Sequence, residues 1–208
     1  MSCTLIYGFG MDGTCTDEVV AIQNAFRGGI AVWRALEKKY LPSYRPAWVP
    51  KGVSDDEILD YIGFEPSRAT SLTDDEAIKD IWNLFKAENT SETDRIVLGT
   101  TFDNVLVRRG NILKVVEAFE AFDKEHEGMS NLKEQADGIR SFLADPQITA
   151  IGWNQTSVNG DDWSNSGETM EDEDGDEVGG PYNFKTGTDH WWLFDEIEKV
   201  VAANGKKE

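Results

Sequence analysis

Cysteine and histidine are scarce in this chain of 208 residues, which holds only Cys3, Cys15, His126 and His190. Two cysteines are too few for a disulfide framework and lack metal-ligand spacing. Two histidines leave little that titrates near neutrality for general acid–base work. No apolar run approaches the ~18 residues of a membrane span. The first residues lack the basic segment and apolar stretch of a secretory leader, so we expect no membrane association and a cytoplasmic location. The signatures G-K-[ST], H-E-x-x-H, G-x-S-x-G and C-x-x-C do not occur. The sequence therefore offers no ready-made phosphate cradle, zinc protease site, serine-hydrolase elbow or redox pair.

Positive charge is the other shortage. Lys and Arg number 20 against 39 Asp and Glu, a net charge of -19. Such a balance disfavours direct DNA or RNA binding, because phosphate neutralisation needs a basic face. The chain is nevertheless no disordered acidic tail, since its hydrophobic fraction is 39% and it carries ten Phe, seven Trp and five Tyr. One folded domain spanning 1–208 is expected. The charge is uneven. Residues 19–54 hold six basic side chains (Arg27, Arg34, Lys38, Lys39, Arg45, Lys51) and one acid, Glu37, whereas residues 141–184 hold ten acids and no Lys or Arg.

The N-terminal stretch MSCTLIYGFGMDGTCTD reads as a strand over 3–9, rich in β-branched and aromatic residues, followed by a glycine turn. Gly8, Gly10 and Gly13 satisfy G-x-G-x-x-G, and Thr16-Asp17-Glu18 reads as a helix cap with acids in the first turn. A dinucleotide site would need a second strand about 20 residues on, ending in an acid, and the sequence shows a helical stripe there instead. Within this stretch GMDGTCTD resembles the first motif of the haloacid-dehalogenase-like phosphatases, in which a strand ends in D-x-D-G-T. The resemblance covers about eight residues. It implies that Asp12 stands for the family's general acid and base, with Thr100 and Asp161-Asp162 as candidates for its second and fourth motifs. Gly10 occupies the nucleophile's place, where glycine cannot form an acyl phosphate.

Helical periodicity continues from Thr16 to Leu41 through Val19, Ile22, Phe26, Ile30, Trp33 and Leu36, with a break expected at Gly28-Gly29. Pro42, Pro46 and Pro50 end it in a loop with Tyr44 and Trp48. Ser54–Glu57 and Thr73–Glu76 match the capping box and start two further helices, so the paired acids Asp55-Asp56 and Asp74-Asp75 read as dipole partners. The stretch from Arg95 to Val107 reads as strands with a turn at Asp103-Asn104, with a helix extending from Ser91 as the alternative for its first segment. Helices are expected over 111–126 and 130–143, a strand from 148 and a terminal helix starting at Thr188 or Asp189. His126 reads as a helix C-terminal cation, His190 as a packed first-turn side chain and Cys15 as a small buried thiol.

The acidic region, NGDDWSNSGETMEDEDGDEVGGPYNF, places Asp172, Asp174 and Asp176 at the first, third and fifth positions of a calcium-loop pattern. The pattern then fails, with Glu177 and Asn183 where an EF-hand wants Gly and Glu. We read it as a solvated acidic hairpin tip or mobile loop around 160–181.

These observations point to an α+β fold: a small, mostly antiparallel sheet from 3–9, 95–107, 148–158 and 182–186, packed with five or six helices, with α/β as the competing class. No catalytic residue, metal ligand or cofactor is assigned. The expected function is a non-enzymatic acidic protein that binds or inhibits a basic protein partner, as a nucleic-acid mimic, through Asp161, Asp162, Trp163, Glu171, Asp172, Asp174 and Asp176. The alternatives are a hydrolase or phosphoryl-transfer enzyme centred on Asp12, and an accessory structural protein.

Overall fold

The computed structural model describes residues 3–23, 25–40, 75–155, 163–171 and 173–205. The capping box at Ser54, the proline loop with Tyr44 and Trp48, Asp161, Asp162 and Asp172 lie outside the described residues. The chain forms two compact units, one of residues 1–32 with 91–208 and one of residues 33–90. The reading of a single domain over 1–208 draws no such division.

In the larger unit, β1 (Cys3–Phe9) turns back directly into β2 (Cys15–Gln23) as an antiparallel hairpin. This corrects the helix expected from Thr16. Val19 and Ile22, three apart, suit a helix face, yet Thr16, Glu18, Val20 and Ile22 point inward while Asp17, Val19, Ala21 and Gln23 are exposed. That is the period of a strand, and three β-branched residues in four favour it. The deciding residue is Gly13, whose φ of +92° suits glycine and reverses the chain. A two-residue bulge at 16–18 is closed by the Thr16 hydroxyl, which donates to the Gly8 carbonyl (3.1 Å) and accepts from the Glu18 amide (3.2 Å).

Short helices α1 (Ala25–Gly28) and α2 (Ile30–Tyr40) follow, separated near the Gly28-Gly29 break. In the 33–90 unit, Leu36, Ile81, Leu84 and Phe85 are buried, Arg34 pairs with Glu37, and Trp82 stacks on Phe85 within α3 (Asp75–Lys86).

A second correction concerns residues 95–99. They are not a strand but the body of α4 (Glu92–Gly99), whose N-cap Ser91 accepts from the Asp94 amide at 3.1 Å. All of Asp94–Gly99 is buried, and a short apolar run buried on every side carries no periodicity that separates helix from strand. Asn104, with φ of 59°, turns the chain into β3 (Val105–Arg108).

Then α5 (Arg109–Glu125) buries Ile112, Val115, Val116, Phe119 and Phe122, and α6 (Leu132–Ala144) buries Leu132, Ala136, Ile139 and Phe142. The Arg109 guanidinium reaches from the start of α5 to the end of α6. It donates to the carbonyls of Phe142, Leu143, Asp145 and Ile148 at 2.6–3.3 Å and so satisfies groups that a helix C-terminus leaves open.

The fully buried β4 (Ala150–Asn154) is shorter than the expected 148–158. The hairpin strands β5 (Thr169–Glu171) and β6 (Glu177–Gly179) come next, then β7 (Trp191–Trp192) and the closing helix α7 (Leu193–Asn204). Helix α7 starts after the tryptophans, not at Thr188 or Asp189, because Trp191 and Trp192 pair with Val105 and Leu106.

The main sheet has the order β2-β1-β4-β3-β7, antiparallel except for the β3–β7 pair. The α+β class with a mostly antiparallel sheet is thus what the chain forms. One sheet face carries Ile6, Val20, Val105, Val107, Ile151 and Trp153. Trp153 meets Phe119 of α5 edge-on and donates its indole N–H to Gln135 of α6 at 3.1 Å. The opposite face, with Tyr7, Phe9, Leu106 and Ala150, is covered by Trp163 and Tyr182 and bordered by Phe184 and Trp192.

Candidate functional site

The second face of the sheet is where the acidic region attaches. Trp163 is 2% exposed. Its ring stacks on Tyr182 (centroids 6.1 Å apart) and meets Phe9 (5.1 Å) and Tyr7 (6.5 Å) edge-on. Backbone bonds tie the same strap down. Tyr182 donates to the Trp163 carbonyl at 2.8 Å, and its own carbonyl accepts from the Cys15 amide at 2.7 Å. The assignment of Trp163 to a partner surface is therefore corrected: a large ring over the small Gly152 packs inward.

Between Trp163 and Tyr182 the chain rises as the β5–β6 hairpin. Its register places Thr169 opposite Gly179, Met170 opposite Val178 and Glu171 opposite Glu177. Gly175, with φ of +85°, makes the turn. Glu168, Glu171, Glu173, Asp174, Asp176 and Glu177 are all exposed. Of the residues expected to bind a partner, Glu171, Asp174 and Asp176 share this hairpin. Asp161, Asp162 and Asp172 lie outside the described residues. Two side chains that composition did not single out join them, Met170 (53% exposed) and Val178 (41%), paired across the ladder. The alternation of ETME with EVGG was the available signal.

The opposed glutamates raise the local cost of the hairpin, because like charges directly across a ladder repel. Among the described residues no group of three His, Cys, Asp or Glu side chains gathers as a metal site.

At the other end of the strap sits the Asp12 turn. Both Asp12 oxygens accept from Thr14, one from its amide and one from its hydroxyl, each at 3.0 Å. These bonds hold the exposed carboxyl below its ordinary range, with Lys185 adding a smaller pull in the same direction. A general acid needs the opposite shift. Asn183 donates to the Thr14 hydroxyl (3.0 Å) and Lys185 to the Met11 carbonyl (2.7 Å), so the turn is braced from the strap. Thr100, aligned above with a phosphatase motif, ends helix α4 with its hydroxyl on the Val97 carbonyl at 2.8 Å.

His190 completes the strap. Its Nδ1 lies 2.9 Å from the Tyr182 hydroxyl, and its ring meets Trp192 edge-on. Burial lowers its pKa against the opposing pull of Asp189, and Arg108 adds to the lowering. Burial raises that of Tyr182. A neutral imidazole whose Nδ1 accepts a hydrogen bond from the phenol hydroxyl fits both directions. Arg108 lies 4.0 Å over the Trp192 ring and grips both oxygens of Asp195 at 2.6 and 3.0 Å. Cys15 is buried in the same cluster, and His126 caps the end of α5.

Comparison of the chain with protein-family models, characterised proteins and solved structures found no match. Among the described residues no helix is long and apolar enough to cross a membrane.

Proposed function

We propose that this protein is a non-enzymatic, cytoplasmic binding protein that captures and inhibits a basic protein partner, presenting carboxylates where that partner would meet nucleic acid. The observation that carries this reading is the β5–β6 hairpin: six exposed carboxylates on and beside a short ladder whose base is anchored by Trp163 and Tyr182. Anchoring reduces the ordering cost on binding. A cationic partner relieves the Glu171–Glu177 repulsion, and a net charge of -19 steers such a partner inward. Met170 and Val178 form an exposed apolar pair on the face of the hairpin opposite Glu171 and Glu177, so the partner meets apolar as well as acidic surface.

The test begins with capture of partners from cell lysate and proceeds to the combined variant Glu171→Lys, Asp174→Lys, Asp176→Lys. Salt-sensitive capture of a basic, nucleic-acid-binding protein that the variant loses and that added duplex DNA displaces supports the reading. Capture unchanged by the three charge reversals overturns it.

A further inference from the structure

The hairpin is not the only feature of this fold that suits a partner. Strand β2 is the edge of the main sheet. Its outer side is already used at one end. The amide of Cys15 donates to Tyr182 O (2.7 Å), the amide of Phe184 donates to Gly13 O (3.0 Å), and Thr14 bridges Asn183 in antiparallel register. Residues 182–184 thus form a single antiparallel bridge on the outside of residues 13–15, and the chain leaves the edge at Pro181.

Alternation fixes what lies beyond. Trp191 donates to Asn104 O and Arg109 to Thr149 O, so Val105 and Val107 turn their backbone groups toward β4, and Ile151 and Trp153 return them. Ala150, Gly152 and Asn154 then bond Phe9, Tyr7 and Leu5. Thr4 and Ile6 are left to bond Ile22 and Val20. The amides and carbonyls of Val19, Ala21 and Gln23 consequently face outward, in phase with those of Gly13 and Cys15. Among the described residues nothing pairs with them.

Natural edges are blunted with lysine, proline or short length. The nine residues of β2 contain no Lys, Arg or Pro. The bulge and the acids Asp17 and Glu18 protect its first half, and the second half, VVAIQ, is uncharged, with Val19 44% exposed.

We infer that the edge of β2 from Val19 to Gln23, open among the described residues, is a docking site that receives an extended segment of a partner protein by strand addition, in phase with residues 182–184. The segment alternates basic and apolar residues. Its apolar side chains lie beside Val19 and Ala21 on one face, and its basic ones fall on the other face, where Glu18 stands. A second copy of this chain is the disfavoured occupant, because two chains of the same large negative charge repel. The inference rests on the proposed function only for the basic character of the partner.

The test uses the full-length protein, uniformly labelled with nitrogen-15, and a synthetic Lys-Val alternating peptide about six residues long, the usual strand length. Amide shifts and hydrogen-exchange protection are read along the chain, with a Lys-Ser alternating peptide as the control. The expected result is protection at Val19, Ala21 and Gln23 by the Lys-Val peptide and weaker binding of Lys-Ser. Ala21→Pro should lower the affinity about tenfold, because it removes one outward amide and no bond to β1. Its unchanged spectrum elsewhere confirms the fold, and Val19→Lys, which places an edge-blocking charge without altering the backbone, should weaken binding as well. Peptide shifts confined to residues 168–178 overturn the strand-addition site while leaving the hairpin reading intact. So does the absence of any shift on β2. Protection of these amides that grows with protein concentration and without peptide overturns the basic partner in favour of a second copy. The hairpin variant with three charge reversals should still bind the peptide at β2, which separates a failure here from a failure of the proposed function.

Discussion

Gly152 and Trp163 are complementary in shape: the indole occupies the space into which a side chain at Gly152 would project. A Cβ built there would lie 2.5 Å from Trp163 Cη2 and 2.6 Å from Leu106 Cδ2. Gly152→Ala should therefore expel or tilt the ring and destabilise the protein by about 1–3 kcal/mol. Trp163→Ala should cost about 3–5 kcal/mol through the cavity it leaves. Denaturant unfolding measures both, and near-ultraviolet circular dichroism reports whether the ring has lost its fixed environment.

Arg109 is expected to matter more than its place on a helix start suggests. It holds four carbonyls at the end of α6. Arg109→Ala should cost about 1–3 kcal/mol, the range for buried acceptors left without a donor. Arg109→Lys should recover only part of this, because one ammonium cannot span the positions that the planar fork reaches. Faster amide exchange over residues 142–149 in both variants would locate the effect.

The Tyr182–His190 contact predicts a pH dependence. The folded protein lowers the pKa of His190 below its ordinary value of about 6.5. The unfolded chain then binds the proton more readily than the folded one. The stability this group contributes is fully present above pH 6.5 and is lost as pH falls through the lower folded value. His190→Asn should flatten the stability curve on the acid side of 6.5 relative to the parent. Thermal unfolding over that window gives the comparison.

Asp12 should behave as a turn brace. Asp12→Ala is expected to speed amide exchange at Thr14, whose amide it now accepts, while leaving the secondary structure intact. Its contribution, like that of any carboxyl with a lowered folded pKa, should be present above the ordinary carboxylate pKa and fade as pH falls through the lowered one. A phosphate-ester substrate panel that showed turnover abolished by Asp12→Asn would contradict the assignment to a turn.

Glu177→Lys sets stability against binding at one position. It turns the opposed Glu171–Glu177 pair into an attractive one and should stabilise the hairpin by about 0.2–1 kcal/mol. The same change should weaken capture of a basic partner. A variant that binds more tightly would show that the hairpin's repulsion serves no recognition.

Much of the helical layer was legible because its periodicity is long. Helix α5, over seventeen residues, repeats its apolar side chains often enough that no strand could bury them together. Short segments gave no such protection. RIVLG over 95–99 is equally apolar as helix or strand, and only Ser91 at its start, already visible in the sequence, argued for the former. Thr16–Gln23 was misread because residues three apart fit a helix when the inward pair Val20 and Ile22 is overlooked. Of the site, the exposed acids were legible from composition. The fate of Trp163 was not, since an aromatic among acids reads as an interface residue until its neighbour in space is known.

The sequence by itself determined the charge, the α+β class and the positions of the long helices, because these follow from composition and from periods repeated within one segment. Only the tertiary structure decided which way Trp163 faces, that Asn183 and Lys185 brace the Asp12 turn and that, among the described residues, β2 ends the sheet with its outward groups open. Each of those depends on residues far apart in the chain meeting: Gly152 with Trp163, Asn183 and Lys185 with the Asp12 turn, and Tyr182 with Cys15. No local pattern encodes such meetings, since they arise where separately formed elements bury the surfaces they cannot bury alone.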